Sequence, residues 1–298
     1  MTVLRSYAQL MRLPAMFTVC SNVIAAYCVA VAYWAVSDSD THSILSLPFL
    51  LTLLASLCLY HAGMVLNDCF DLEVDRRERP QRPLPAGAVG ITTAWYLGWG
   101  LLGAGLILAS LVTIQTLIIA AVLALAIIVY DRGPRRGWFA AINMGLCRYL
   151  NWIMVISVVG LDWKLALLPI PVFFYIVALT RISQEEADAA DRGVLVIAAA
   201  VLAAGVLCWM LWYLIGLFSA IVGAIALLLA LAFLIWRFVL LYREFNTESV
   251  QAMVGALVFG IIPLDALLLA STGQSLAALL LLVLLFPGRW LGRFLYVS

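Results

Sequence analysis

Charge is what this sequence has least of. Of 298 residues, 11% are charged and 66% hydrophobic, and the mean hydropathy is +1.11. Soluble globular chains carry about 25% charged residues. The deficit excludes a soluble enzyme domain and leaves no basic surface for nucleic acid. There are only two histidines. The six cysteines (Cys20, Cys28, Cys58, Cys69, Cys147 and Cys208) form no CxxC pair and no Cys/His cluster with zinc spacing, and most lie in apolar runs as small buried hydrophobes. There is no Gly-rich nucleotide loop and no Ser/His/Asp arrangement. No small-residue cleavage site follows the first apolar run, so no cleavable signal peptide is expected.

What remains is long apolar runs. A spanning helix needs about 20 apolar residues. Such runs fall near 13–35, 46–67, 91–111, 114–130, 138–160, 165–181, 194–213, 216–240, 249–270 and 274–291. The expected fold is therefore all-α, a polytopic transmembrane helical bundle over 1–298 as one domain. The tenth run is interrupted near its end by Pro287 and Gly288, which leaves a re-entrant or interfacial course open. Basic residues mark the sides. The connections after spans 1, 3, 5, 7 and 9 hold little besides Asp38, Asp40, His42, Asp162 and Lys164. Every Lys and Arg except Lys164 and Arg148 falls at the other ends or at the termini. The positive-inside rule makes that side cytoplasmic.

Polar residues placed in lipid are costly and mark function or interhelical pairing. The densest set follows span 2, running from Asn67, Asp68, Asp71, Glu73 and Asp75 through Arg76, Arg77, Arg79 and Arg82 to the turn at Pro83–Gly87. If span 2 continues as a helix, Asn67, Asp71 and Asp75 share one face and Asp68 stands beside them. Carboxylates so placed repel one another unless a cation joins them. Magnesium fits, because it takes oxygen ligands and is held by one or two carboxylates plus substrate phosphates. The arginines match phosphate oxygens bidentately. The pattern points to a diphosphate–magnesium site with Asn67, Asp68, Asp71 and Asp75 as metal ligands.

This run, NDxxDxxxD followed by RPxRPLPxG, resembles the first Asp-rich motif of the UbiA-type intramembrane prenyltransferases, and it stands after span 2 as in that family. The resemblance implies a nine-helix core around a cavity open sideways to lipid, to which a tenth span would be an addition. It also implies a polyprenyl diphosphate donor, magnesium, and an acceptor that is lipid-soluble and often aromatic. Asp71 and Asp75 then serve catalysis, and Asn67, Arg79 and Arg82 bind the diphosphate.

The family's second Asp-rich motif, after span 6, departs from the pattern. Ser183 and Ala187 occupy the two Asp positions, and superposing Asp75-Arg76 on Asp191-Arg192 gives the same alignment. Glu185 and Glu186, or Asp188 and Asp191, are the candidates to replace the lost ligands, and Arg181 to carry part of the diphosphate charge. The stretches Asn143–Asn151 and Leu179–Ser183 resemble the EboC-like branch of the superfamily. Arg148, well inside span 5, needs an anion, for which a diphosphate, Asp71, Glu186 or Asp265 would serve. Asn143 and Asn151 fit acceptor contacts or interhelical bonds equally. The connection Tyr130–Arg136 resembles the family's Y…KR feature, so Arg135 and Arg136 join the substrate-binding candidates. His61, near the middle of span 2, reads as a core histidine. Two classes follow: a prenyltransferase with an altered second site, or a non-catalytic isoprenoid-binding or transport component that keeps the diphosphate pocket. The DGxxAR-type pattern of CDP-alcohol phosphotransferases is absent.

Overall fold

The computed structural model describes residues 3–35, 46–134, 136–186 and 189–295. Arg135, Ala187, Asp188 and the acidic connection 36–45 lie outside the described residues. Ten helices in the described part are long and apolar enough to cross a membrane: Leu13–Trp34, Leu47–Phe70, Ile91–Ser110, Ile114–Arg132, Trp138–Val159, Trp163–Ser183, Gly193–Leu214, Ile221–Arg243, Thr247–Ser271 and Ser275–Leu295. They are called spans 1 to 10 below. No strand occurs among the described residues. Helices satisfy their own backbone groups, which hydrocarbon requires. Every expected span is present, with ends within a few residues of the reading above. The largest shift is at span 8, which begins at Ile221.

The chain is an integral, multi-pass membrane protein with a graded interior. Spans 1, 5, 6 and 9 form the centre, where Trp152, Trp209, Tyr27, Ile156 and Leu269 are buried. Spans 2, 3 and 4 form a second packed group around Leu59, Leu66, Leu123 and Met154. Span 8 turns Leu228, Leu229, Phe233 and Trp236 outward, as a helix in lipid does.

A polar thread crosses the centre. Ser21 Oγ and Asn22 Nδ2 of span 1 donate to the Asp265 carboxylate of span 9 at 2.6 and 3.2 Å. Asn151 Nδ2 of span 5 donates to Asn22 Oδ1 at 2.9 Å, and Ser56 Oγ of span 2 donates to Asn151 Oδ1 at 2.6 Å. In hydrocarbon these groups find no water, so the thread fixes the register of four helices.

Span 10 is interrupted, but earlier than its sequence suggests. The α-helix gives way to a 3₁₀ turn at Leu282–Leu284 and resumes at Leu285–Leu295. Pro287 explains the place. It lacks an N–H and its ring crowds the carbonyl four residues back, at Val283, inside that turn. Beyond it the helix reaches the N-terminal helix Val3–Leu10, where Arg5 donates to the Phe294 carbonyl at 3.0 Å.

Spans 8 and 9 approach closely at Gly223, where an added Cβ would stand 2.4 Å from the Ser271 Cα. Gly223→Ala is expected to lower the thermal midpoint in detergent, because overpacking costs about 1–3 kcal/mol. Gly103→Ala, with nothing within 4 Å of the new Cβ, is the control and should not lower it. Equal midpoints for the two variants would contradict this packing.

Candidate active site

The site is built at the end of span 2. That helix closes at Asp71, whose φ of −88° and ψ of 1° mark a bend, and a short helix resumes over Leu72–Glu78. The bend does not break the ladder. Asp71 N donates to Asn67 O, Asp75 N to Asp71 O, and Arg79 N to Asp75 O, at 2.8–2.9 Å. The four-residue spacing of the motif therefore survives, and its polar side chains stay on one side.

The loop after it folds back. Gly87 takes φ +69°, open to glycine at no steric cost, and Ala88 and Val89 both donate to the Pro83 carbonyl. Leu84 and Val89 are buried against Leu10, Val65 and Ala94. This anchoring returns Arg82 to the helix it left. Its Nη1 lies 2.7 Å from Asp75 and 3.4 Å from Asp68. Both carboxylates are almost fully buried, at 3% and 4% exposure. Arg12 meets Asp68 from the other side at 3.2 Å. Arg12 holds a left-handed φ of +50° at the bend between the N-terminal helix and span 1. A non-glycine residue there is strained, and such strain collects at functional sites.

The connections after spans 4 and 6 meet at Gln184 and Gly137. Gln184 accepts from Gly137 N at 2.9 Å and donates to Gly137 O at 3.3 Å, tying the two connections together. Arg181 donates to the same Gln184 and lies 5.3 Å over the Trp138 ring. Its Nε is buried without a partner. Glu186 faces Arg79 and Arg12. Burial pushes its carboxyl above the ordinary range, and those two arginines pull it back.

Placement divides the expected residues. Asn67, Asp68, Asp71, Asp75, Arg79, Arg82 and Glu186 come together with Arg12. Glu185 turns away, its carboxylate capping Ala190 N and Asp191 N at 3.0 and 3.1 Å. Asp191 caps Gly193 N at 2.7 Å, and Ser183 bonds back to Thr180 O. Of the replacements expected in the second motif, only Glu186 faces the arginines among the described residues. Arg136 is exposed. Asn143 serves the backbone of span 4, where its amide donates to Ala126 O at 3.1 Å and accepts from Tyr130 N at 3.2 Å. It therefore braces a helix end.

Arg148 also lies apart from the acidic cluster. It donates to Thr18 O and Thr18 Oγ1, each at 3.3 Å, with Asp265 and Tyr60 as charge neighbours. Of the anions considered for it, Asp265 is the one in range, through space without a direct ion pair. His61 donates from Nδ1 to the Met11 carbonyl, 2.9 Å away, and fits its reading as a satisfied core group.

Arg12, paired with Asp68, and Asp131 both escaped sequence reasoning. Asp131, at the last turn of span 4, is 6% exposed, with Asn67, Asp71 and Asp68 as its polar neighbours. Its Oδ2 is buried with no partner. Attention to the basic residues of Tyr130–Arg136 hid it. Its signal was an acid inside an apolar helix, which always needs an explanation.

The oxygen donors suit magnesium in kind, and an orphaned carboxylate oxygen beside Asn67 and Asp71 supports the fit. No three His, Cys, Asp or Glu among the described residues form a ready metal cage. The expected four-ligand set is not gathered as one, because Arg82 holds Asp68 and Asp75. That arrangement suits an ion completed by substrate phosphates. A cavity of about 250 Å³ lies at the opposite end, lined by Tyr33, Trp163, Lys164 and Thr272, and carries none of these residues.

The sequence pattern of the UbiA prenyltransferase family matches residues 23–253. Digeranylgeranylglyceryl phosphate synthase of Metallosphaera sedula is 40% identical over 74 residues, 25% of this chain and 26% of that one. Its counterpart in Methanococcoides burtonii is 33% identical over 140 residues, 45% of this chain and 47% of that one. The chain thus spans less than half the length of these curated relatives. Among solved structures, one concerning digeranylgeranylglyceryl phosphate synthase in membranes aligns over 92% of this chain and 100% of that one, with TM-score 0.67 and 22% identity. A UbiA homologue from Aeropyrum pernix K1 aligns over 84% and 97%, with TM-score 0.65 and 17% identity. These structural likenesses speak for the fold.

Arg82→Ala would leave Asp68 and Asp75 buried with less charge compensation. A loss of about 3 kcal/mol is expected, the low end for a broken buried pair because Arg82 keeps some solvent contact. Adding Asp75→Asn should restore part of the lost thermal midpoint. A single variant as stable as the parent would refute the bridge.

Proposed function

This chain belongs to the UbiA prenyltransferase family, and we propose that it transfers a prenyl group from a polyprenyl diphosphate to a lipid-soluble acceptor. The observation that carries this reading is the buried bridge of Arg82 to Asp68 and Asp75, with Asn67 and Asp71 on the same helical ladder. It places fixed cations and oxygen donors side by side at the mouth of an apolar bundle, where a diphosphate with an isoprenoid tail fits.

The chemistry is cleavage of the bond between the allylic carbon and the diphosphate oxygen. The leaving group takes the electron pair, and the acceptor attacks the carbon and gives up a proton. Magnesium, when bound at Asn67, Asp71 and the phosphates, supplies Lewis-acid stabilisation of the leaving charge. Arg79 and Arg12 face the same space and hold the diphosphate. Arg82 keeps Asp68 and Asp75 in place, so the polar groups need not reorganise as charge develops. Arg181, tied to Gln184 and Trp138, closes the site from span 6. Glu186 is the residue of the altered second motif that contributes to it. Asp71 is the acid with the most direct role.

For the acceptor, the curated relatives' names favour a glyceryl phosphate lipid beside the aromatic class that the family resemblance implies. Arg148, an arginine at mid-span beside Asp265, suits an acceptor that carries an anionic group. The positive-inside distribution supports a cytoplasmic side for the site. A second reading, binding or transport without turnover, draws on the second motif, where Glu185 and Asp191 are spent on local caps.

The test is pyrophosphate release by purified protein with geranyl, farnesyl and geranylgeranyl diphosphate. Glyceryl phosphate and aromatic acceptors are supplied, with and without magnesium. Release should require magnesium and fall at least about 100-fold in Asp71→Ala, the scale for losing one transition-state electrostatic contact. Donor binding without release across all acceptors would favour the non-catalytic reading.

A further inference from the structure

We propose that Arg289 and Arg293, where the end of span 10 packs on spans 1 and 9, form a headgroup site for an anionic phospholipid of the surrounding membrane. The site stands apart from the acids of span 2 and does not rest on the diphosphate reading.

The end of span 10, Leu285–Leu295, sorts its side chains into three lanes. Gly288 and Gly292 make the packed lane and are buried. A Cβ at Gly288 would stand 3.3 Å from the Phe259 ring and 3.5 Å from the Pro14 carbonyl, so the helix lies close on spans 9 and 1. Phe286, Trp290 and Phe294 make the outer lane, four residues apart on one face and all exposed. Arg289 and Arg293 run between the two lanes, also four residues apart. With Phe259 and Gly292 they line an open cleft of about 380 Å³. Tryptophan at a span end sits at the level of the lipid headgroups. The arginines on either side of Trp290 in the helix therefore reach phosphate depth.

Charge says what the cleft takes. Neither arginine has a carboxylate within 4 Å among the described residues, whereas Arg12, Arg76 and Arg82 each pair with one. In sequence, no acid occurs before Asp38 or after Asp265, and those two stretches carry Arg5, Arg12, Arg289 and Arg293. Arg5 is spent on the Phe294 carbonyl at 3.0 Å, and Gln9 donates to the Leu295 carbonyl at 3.3 Å. These bonds fix the helix end, so the cleft is formed before a ligand arrives. Two guanidiniums without a counter-charge attract a phosphate and can hold its oxygens bidentately. Basic pockets between spanning helices take anionic headgroups in this way. A zwitterionic headgroup brings its own cation, which the arginines repel. The exposed aromatic lane then lies along the acyl chains of the same lipid. Span 10 buries little of its surface in the bundle, so a lipid held by both arginines and Phe259 adds to what keeps it against spans 1 and 9.

The experiment is native mass spectrometry of the full chain released from detergent, titrated with phosphatidylglycerol or with phosphatidylcholine of the same acyl chains. The parent should bind phosphatidylglycerol at least about tenfold more tightly than phosphatidylcholine. The double variant Arg289→Gln/Arg293→Gln should lose that preference, and Arg289→Lys/Arg293→Lys should keep part of it. Arg237→Gln/Arg243→Gln, which removes the same charge from span 8, should match the parent. Inorganic phosphate at millimolar concentration should not displace the lipid. An unchanged preference in Arg289→Gln/Arg293→Gln would overturn the proposal. So would an equal loss in the span 8 variant, which would make the effect one of net charge, or displacement by phosphate, which would make the cleft a site for the free anion.

Discussion

Arg82 lies between two buried carboxylates, and the arrangement around the site depends on that bridge. Asp68 belongs to the end of span 2 and Asp75 to the short helix beyond the bend at Asp71. Without a cation between them the two acids would repel and the short helix would swing away. With Arg82 in place, the loop carrying it must return to span 2, and burial of Leu84 and Val89 makes that return favourable. Arg12 then meets Asp68 from the opposite side, which ties span 1 into the same cluster. A few charges near the membrane surface thus fix one helix end, one loop and one bend.

Deeper in the bundle, a second polar system serves packing. Asp265, Ser21, Asn22, Asn151 and Ser56 link spans 1, 2, 5 and 9 through short hydrogen bonds. Apolar side chains gain little by touching one another when lipid is the alternative, so such bonds and close contacts of small residues carry much of the specificity. Arg148 stands between the two systems. It is anchored to Thr18 on span 1 and has Asp265 as its charge neighbour.

The fold was largely legible in the sequence because hydropathy is a physical requirement of lipid, read one helix at a time. All ten spans answer to apolar length, and even the interruption of span 10 was signalled by Pro287, though its effect falls one turn earlier. The first motif was legible for a similar reason. Four-residue spacing on a helix puts Asn67, Asp71 and Asp75 on one side whether or not the helix bends. What escaped was pairing between distant segments. Spacing could not reveal that Arg82 would bind Asp68 and Asp75, that Glu185 would cap its own loop while Glu186 faced Arg79, or that Asn143 would brace Tyr130. Asp131 was overlooked among arginines that drew the attention, although an acid in an apolar helix is the rarer feature.

The central claim is that the acids and arginines at the end of span 2 receive a diphosphate and its metal ion. The most direct measurement is anomalous diffraction from crystals of the chain grown with Mn²⁺ and a non-hydrolysable farnesyl thiodiphosphate. The account predicts one strong Mn²⁺ peak beside Asn67 and Asp71, with phosphate density reaching Arg79 and Arg12. Ordered phosphate at the opposite end beside Lys164, or a cluster that stays closed around Arg82 with no metal peak, would contradict it.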